Sequence, residues 1–388
     1  MKKLTCAIAC MALLMLGFTG TGFAFHGGGV AHCDGCHTMH NSADNPAEGA
    51  ANSMLLTGSD ASSTCLNCHA GGGGYHVMST DGSNTNAGGD FYWVNNAYTL
   101  TVRGTVNTYA GDNAGHNMVA ADYGMTADAR ADNLQAPGGT YAANLLGCTS
   151  CHDAHGQVNG GTSNGTAPIS ASGSYGAAEP TDGSILGNYR LLGDSQYTAG
   201  NTDADGFAFN ADAPIARASG SNGASVDYGS NMSEWCANCH GDFLVGGSAA
   251  HKHPAGNDVH LNGYGTNYNS YVATGDFTGL QATSYDALVP FERGVVTGTW
   301  DLDPTSTAGP DNNSNVSCLT CHRAHSSAFN NMGRWDFEVE MLAESHVLES
   351  ADVPATAVPY YADGAAIDIV TKYGEYQRSL CNKCHVQD

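Results

Sequence analysis

Six segments of the chain share one spacing of reactive side chains. Each has two cysteines separated by two residues and a histidine directly after the second cysteine, and they are numbered motifs 1 to 6: Cys33-Cys36-His37, Cys65-Cys68-His69, Cys148-Cys151-His152, Cys236-Cys239-His240, Cys318-Cys321-His322 and Cys381-Cys384-His385. This spacing is typical of covalent haem c attachment, in which both thiols form thioethers and the histidine binds iron. Zinc sites and redox dithiols also use paired cysteines, but they need no histidine after every pair. The pattern therefore predicts six haem c groups.

The first residues resemble an export signal. A basic start, an apolar run and small residues up to Ala24 predict a secretory signal peptide at residues 1–24. Its removal takes away Cys6 and Cys10, so 14 − 2 = 12 cysteines remain, and the six motifs use all of them. This leaves no thiol for a disulfide or for thiol catalysis, and we expect residues 25–388 to form a single hexahaem domain.

The charge balance limits the possible partners. The chain has 13 basic and 37 acidic residues, and loss of Lys2 and Lys3 with the signal peptide changes the formal charge from −24 to 11 − 37 = −26. The remaining basic residues are scattered, which argues against nucleic acid or an anionic membrane as a partner. No later stretch approaches the apolar length of a membrane span. We expect an exported, soluble, acidic protein.

Composition predicts little regular structure. The chain has 51 glycines, and small polar residues fill long stretches such as 156–176 and 194–229. Such sequence favours turns and would ordinarily be short of a core. Six haems would supply large apolar surfaces and covalent ties. The predicted fold class is therefore a multihaem c-type cytochrome, mostly coil with few short helices and minimal strand, its core formed by six stacked haems.

A few segments carry patterns of regular structure. Apolar spacing predicts helices over residues 334–348 and about 279–288, and alternation over residues 98–109 predicts a small hairpin. Residues 201–212 resemble a calcium-binding loop, with Asn201, Asp203, Asp205, Gly206 and Asp212 at suitable offsets. The first position is Asn, the last is Asp, and no helices obviously flank the segment, so an acidic turn is favoured over calcium binding.

A second histidine follows motifs 1, 3 and 5 by three residues, at His40, His155 and His325. Three residues span at most about 10–11 Å. Such a histidine would have to pass around the porphyrin edge to reach the far side of its own haem. We expect it to bind a different iron instead, which would bring two haems together. The alternative is a hydrogen bond to a propionate or to a neighbouring imidazole.

The histidine supply bears on the reaction class. Six of the 17 histidines belong to the motifs and eleven remain for six distal positions, so two histidine ligands at every iron are possible. Methionine ligands would raise the potentials. Every motif keeps its histidine and nothing marks a vacant iron, so we expect electron transfer and no enzyme activity. A multihaem reductase, which needs an open iron, is the less favoured alternative.

Residues beyond the motifs carry a family resemblance. They run in order from Phe25 to His385: FHGGGVAHCDGCHTMHNS, STCLNCH, GGDFYW, GHNMVAADY, APGGTY, CTSCHDAHG, MSEWCANCH, HPAGN, NVSCLTCHRAH and YQRSLCNKCH. Flanks such as MSEW and YQRSL are not demanded by haem chemistry. The chain resembles the six-haem outer-surface c-type cytochromes of metal-reducing bacteria, a family that polymerises into conducting filaments.

The resemblance implies a ligand set and an assembly. It implies a closely packed chain of haems, each with two histidine ligands. His40 resembles the family histidine that binds the motif 5 haem of a neighbouring subunit. The resemblance implies five distal ligands within the chain: His76, His116, His155, His253 and His325. A further match, His26, is assigned to a propionate or interface role, and His32, His251, His260 and His346 are not expected to be ligands.

The expected function is extracellular electron transfer. The chain would polymerise into a conductive filament and deliver electrons to minerals, electrodes or partner cells, with copies of itself and other redox cytochromes as partners. A monomeric periplasmic or cell-surface electron shuttle is the main alternative.

Overall fold

The computed structural model describes residues 33–38, 55–72, 75–84, 86–102, 105–130, 134–154, 157–158, 162–163, 188–195, 197–199, 206–218, 226–244, 254–294, 301–338 and 381–385. The signal peptide prediction, residues 201–205 of the calcium-like loop, and His26, His32, His40, His155, His251, His253 and His346 lie outside these ranges. For Cys33, the backbone alone is described.

Short helices make up most of the regular structure in the described ranges. The α-helices are α1 (Cys33–Cys36), α2 (Ala61–His69), α3 (Tyr92–Asn95), α4 (Met232–Cys236), α5 (Asn262–Ser270) and α6 (Cys318–Cys321). Single 3-10 turns are Gly111–Asn113, Ala121–Tyr123, Ala143–Leu145, Cys148–Ser150, Tyr189–Leu191, Gly241–Phe243, Gln281–Thr283, Asn330–Met332 and Cys381–Lys383. Every described motif has a helix or turn that begins at or contains its first cysteine.

The helix α2 shows how the sequence starts and stops these elements. Asp60 precedes it in an extended conformation, and its carboxylate accepts the Ser63 N–H at 2.7 Å. This bond satisfies one of the unpaired donors of the first turn. The helix ends where Ala70 becomes extended, directly after the motif 2 histidine.

The described strands form two-stranded antiparallel ribbons. They pair as β1 (Tyr98–Val102) with β2 (Thr105–Tyr109), β3 (Gln157–Val158) with β4 (Thr162–Ser163), β5 (Thr198–Ala199) with β6 (Phe207–Ala208), and β7 (Ile215–Ala218) with β8 (Val226–Ser230). The first ribbon confirms the predicted hairpin, with Tyr98 opposite Tyr109. The mixture of coil, short helices and little strand confirms the predicted fold class.

Buried apolar side chains form separate clusters among the described residues. Each of four clusters has a motif cysteine packed at its edge. These cysteines are Cys321 and Cys384 in the first cluster, Cys151 in the second, Cys148 in the third and Cys239 in the fourth. Each cluster thus has at least one motif cysteine at its edge. This arrangement fits a core in which haem groups pack between the clusters.

The helix predicted over residues 279–288 is wrong. The structure has a single turn at Gln281–Thr283, and Asp286 accepts the Leu288 N–H through its side chain at 3.0 Å. A side-chain acceptor of this kind competes with helical backbone pairing.

Residues 334–338, the described part of the other predicted helix, are not helical either. The Arg334 backbone N–H donates to Cys321 O at 2.8 Å, and its guanidinium donates to Leu319 O at 2.6 Å. Long-range bonds to motif 5 replace the local helical bonds.

Within the described ranges, the structure contains no helix that is long and apolar enough to span a membrane.

Candidate haem sites

Motifs 1, 3 and 5 share one backbone arrangement. The residue after the motif histidine donates its N–H to a later loop, and the loop returns an N–H to the carbonyl of the second cysteine. The pairs are Thr38 N to Leu55 O (2.7 Å) with Thr57 N to Cys36 O (2.8 Å), Asp153 N to Leu191 O (2.8 Å) with Gly193 N to Cys151 O (2.9 Å), and Arg323 N to Met332 O (2.7 Å) with Arg334 N to Cys321 O (2.8 Å). The three extended motifs are therefore a structural repeat.

The loop residue that accepts this N–H has an unusual backbone conformation. Leu55, Leu191 and Met332 have φ values of 53°, 56° and 55°, in the left-handed region that side chains disfavour. Each such residue costs on the order of 1–3 kcal/mol and persists only where the surrounding contacts hold it. The sequence did not predict these turns, because leucine and methionine ordinarily avoid this conformation.

These loops orient the histidine rings. The Arg190 carbonyl accepts the Nδ1–H of His152 at 2.8 Å, and the Asn331 carbonyl accepts that of His322 at 2.7 Å. A carbonyl can only accept, so Nδ1 carries the proton and Nε2 keeps its lone pair. Metal-binding histidines are held in this way by a second hydrogen bond.

In motifs 2 and 4 a backbone carbonyl also accepts the Nδ1–H of the motif histidine, but it comes from a different kind of loop. The Tyr75 carbonyl accepts the Nδ1–H of His69 at 2.7 Å, and the Pro137 carbonyl accepts that of His240 at 2.8 Å. In motifs 2 to 5, therefore, Nδ1 carries the proton and Nε2 is the unprotonated nitrogen, the form that binds iron. This donor set fits axial ligation of a haem.

Two motif histidines face a second histidine from far along the chain. The ring centres of His240 and His116 are 6.0 Å apart, and those of His152 and His325 are 6.3 Å apart. A metal–imidazole nitrogen bond of about 2 Å, with the ring centre roughly 1 Å further, puts the centres of two opposite ligands about 6 Å apart. Both gaps match the space that one iron needs between two imidazoles.

One segment brings both distal candidates together. His325 donates its N–H to Gly88 O at 2.7 Å, and its carbonyl accepts the His116 N–H at 3.0 Å. A β-carbon added at Gly88 would lie 2.9 Å from the His325 ring, so this approach requires glycine. The Phe91 ring stacks on His325 at 4.9 Å. The two rings are thus held by neighbouring backbone bonds but face different motifs.

Burial keeps the distal candidates neutral. Desolvation first, and then the neighbouring His240, lower the pKa of His116 to about 4. Desolvation and the neighbouring His152 lower the pKa of His325 to about 3. Burial also lowers the pKa of His240 and of His322. Neutral imidazole is the form that binds a metal.

The basic residues near the motifs are buried. Lys383, between the cysteines of motif 6, donates to the carbonyls of Tyr268 (3.1 Å), Tyr271 (3.0 Å) and Ser284 (3.3 Å). Its Nζ also lies 4.4 Å from the centre of the Tyr268 ring. Arg323 and Arg334, beside motif 5, are each 1% exposed. Sequence reasoning treated the basic residues as scattered and missed this role in holding the motifs.

The other described histidines have different surroundings. His76 packs against Tyr75, with ring centres 4.0 Å apart, and no described residue makes a hydrogen bond to its buried Nδ1. The exposed His260 lies with Nδ1 2.6 Å from the Asn315 side chain. The described cysteine side chains form no disulfide among themselves.

Comparison with known proteins gives the family. No family model matches the chain. It is 39% identical, over an alignment of 438 residues that covers all of this chain and 99% of the relative, to the C-type cytochrome OmcS of Geobacter sulfurreducens.

Two solved structures are similar. The Outer Membrane Cytochrome S filament of the same organism has a TM-score of 0.72 at 38% identity, and the OmcS nanowire structure has a TM-score of 0.75 at 39% identity. Each match covers 94% of this chain and the whole of the other. The chain belongs to the OmcS family of multihaem c-type cytochromes.

Proposed function

We propose that this chain, as a single hexahaem domain spanning residues 25–388, carries electrons outside the cell along six haems and polymerises into a conductive filament. Haem iron supplies the one-electron redox change; the chain supplies attachment, ligation, spacing and burial. The observation that carries the proposal is the facing pair of His152 and His325, because it relates a trailing histidine of one motif to the ring of another.

The trailing histidines are the second histidines that follow motifs 1, 3 and 5. In this proposal they follow one rule, by which each of them binds the iron of the motif two places earlier. His325 trails motif 5 and serves the iron of motif 3, two motifs earlier. Motifs 1, 3 and 5 share the same backbone arrangement, so the rule extends from one to the next. His155, trailing motif 3, would serve motif 1. His40, trailing motif 1, has no motif two places earlier in its own chain, and the next in register is motif 5 of another subunit.

The rule makes polymerisation a consequence of ligation. A bond from His40 to the motif 5 iron of a neighbour leaves that neighbour's own His40 to bind a third subunit. Such a head-to-tail contact gives an open filament when its rotation does not close into a ring. The filament relatives support the proposal. Its partners beyond itself are other redox cytochromes and extracellular metal oxides or electrodes.

The remaining distal ligands complete the set. His116 is assigned to the iron of motif 4 on the ring distance given above, and His76 and His253 to the irons that remain. Two histidines at each of six irons leave no open position for substrate, so the protein is proposed to be an electron carrier and not a reductase.

Replacement of a distal ligand tests this set. His325→Ala is expected to keep six covalent haems but convert one of them from low spin to high spin, because its iron loses one ligand. The readouts are haem content, electron paramagnetic resonance and carbon monoxide binding. His116→Ala should affect a different haem, and His260→Ala is the matched control that should affect none. A wild-type spectrum for both ligand variants would contradict the assignments.

Electron microscopy of haem-rich material sheared from the cell surface tests the assembly, with the chain identified by mass spectrometry. Filaments with a regular subunit repeat are expected. Discrete particles alone, across a range of salt and pH, would instead favour a monomeric shuttle. A high-spin haem in the wild-type protein would favour a reductase.

A further inference from the structure

Two buried serines occupy equivalent places in the structure. Ser62 lies in α2, three residues before the first cysteine of motif 2, and Ser233 lies in α4, three residues before the first cysteine of motif 4. Their exposed fractions are 0% and 1%. Neither belongs to a Cys-x-x-Cys-His motif.

Each serine contacts the motif that follows its own. The Cys148 N–H, at the start of motif 3, donates to Ser62 Oγ at 3.0 Å. The Cys318 N–H, at the start of motif 5, donates to Ser233 Oγ at 3.0 Å. Both N–H groups lie at the first residue of a helix or turn, where no intrahelical acceptor is available. The serine hydroxyl supplies the acceptor from another motif.

The cysteine side chains meet at the same places. The side chains of Cys65 and Cys148 are neighbours, and so are those of Cys236 and Cys318. With a haem attached at each motif, these sulfurs would be thioethers of two different haems. The serine bond would then lie beside the place where the two attachments approach each other.

The receiving motifs are built alike. Ser150 Oγ accepts the Gly147 N–H at 2.9 Å in motif 3, and Thr320 Oγ1 accepts the Ser317 N–H at 3.0 Å in motif 5. These bonds fix the backbone just before the first cysteine. Three residues before its first cysteine, motif 6 has Arg378 where motifs 2 and 4 have serine. Its sequence therefore lacks the hydroxyl acceptor.

We propose that Ser62 and Ser233 are positioning residues at two equivalent haem junctions, one joining motifs 2 and 3 and the other joining motifs 4 and 5. Each hydroxyl ties the first cysteine of one motif to the helix that carries the other, and so sets the separation and angle of the two haems. The inference rests on the proposed attachment of a haem at each motif. Junction geometry controls how strongly the haems couple, and with it the rate of electron transfer.

The test uses the full haem-loaded chain with Ser62→Ala, Ser233→Ala and the double substitution. The readout is the exciton couplet in the Soret circular dichroism, which depends on the distance and angle between neighbouring haems. We expect six haems in each variant and a smaller couplet in each single variant. The two losses should add in the double variant, because the junctions are separate sites.

The matched control is Ser230→Ala. Ser230 is 1% exposed and its Oγ has no hydrogen-bond partner among the described residues, so its removal should leave the couplet unchanged. If an alanine variant loads fewer haems, the couplet is measured instead in Ser62→Thr or Ser233→Thr. Threonine keeps the acceptor oxygen at the same position. A wild-type couplet in the threonine variant supports the proposal, and a reduced one overturns it.

An unchanged couplet in both alanine variants with six haems would also overturn this inference, while leaving the proposed function intact. Fewer than six haems in the wild-type chain would instead contradict the proposed function. The two failures are therefore distinguishable by haem content alone.

Discussion

His40→Ala is expected to abolish filaments while leaving six covalent haems on each chain. The substitution removes the proposed coordination bond between subunits but touches no cysteine. We expect the apparent association constant to fall by at least about a hundredfold, which corresponds to about 2.7 kcal/mol. Electron microscopy and sedimentation of the purified protein measure the assembly.

His155→Ala is the matched control for this experiment. It occupies the same place after motif 3 that His40 occupies after motif 1, but its proposed iron lies within its own chain. It should therefore alter one haem spectrum and keep the filaments. Added imidazole should restore the haem spectrum of His40→Ala without restoring assembly. Normal filaments from His40→Ala would defeat the idea of ligation between subunits.

Glu292→Gln is expected to remove a pH dependence of stability. Glu292 is 0% exposed. Its Oε1 accepts the Met232 N–H at 2.7 Å, and its Oε2 has no hydrogen-bond partner in the part of the chain that the structure describes. Desolvation, with smaller contributions from Glu234 and Cys318, raises the pKa of Glu292 from 4.5 to about 8. The carboxyl is therefore protonated in the folded protein at neutral pH.

The sign of the effect follows from proton binding. Between pH 4.5 and about pH 8 the folded state holds a proton on Glu292 that the unfolded chain releases. The free energy of unfolding contributed by this group is thus fully present below pH 4.5 and falls as pH rises, by up to about 1.4 kcal/mol per pH unit. Glutamine keeps the acceptor for Met232 but cannot ionise, so the variant should lack this fall.

Denaturant unfolding of the haem-loaded chain, followed by circular dichroism at several pH values in this window, measures the slope. Glu338→Gln is the control, because it makes the same substitution at an exposed carboxyl that accepts a hydrogen bond from Asn330. It should keep the wild-type slope. Equal slopes for Glu292→Gln and the wild type would show that Glu292 is ionised in the folded state.

The helix prediction over residues 279–288 and the described part, residues 334–338, of the other one failed for a common reason. The apolar spacing over residues 334–348 and 279–288 read as helical, but Arg334 and Asp286 use their side chains and backbone in long-range or turn bonds. In a chain rich in glycine and small polar residues, apolar side chains pack against haem attachment points wherever these lie. Periodicity is then a weak guide. The hairpin over residues 98–109 succeeded because its pairing is local.

The sequence by itself determined the family, the coil-rich fold class and the chemistry of the chain. The residues proposed for haem attachment and for the first iron ligand lie within five consecutive positions, so their spacing is readable without a structure. Local sequence also indicated that a trailing histidine such as His325 could not serve its own haem. That prediction agrees with the facing pair of His152 and His325, although ligation stays a prediction.

Only the tertiary structure decided which rings face one another and how the motifs are joined. The ring near His152 belongs to His325, which lies beyond motif 4 in the sequence. The acceptor for the Cys318 N–H is the hydroxyl of Ser233. The left-handed turns at Leu55, Leu191 and Met332 likewise depend on contacts that hold a disfavoured conformation. These features follow from bonds between distant segments. Because such bonds form wherever the folded backbone brings donors and acceptors together, residue spacing along the chain does not encode them.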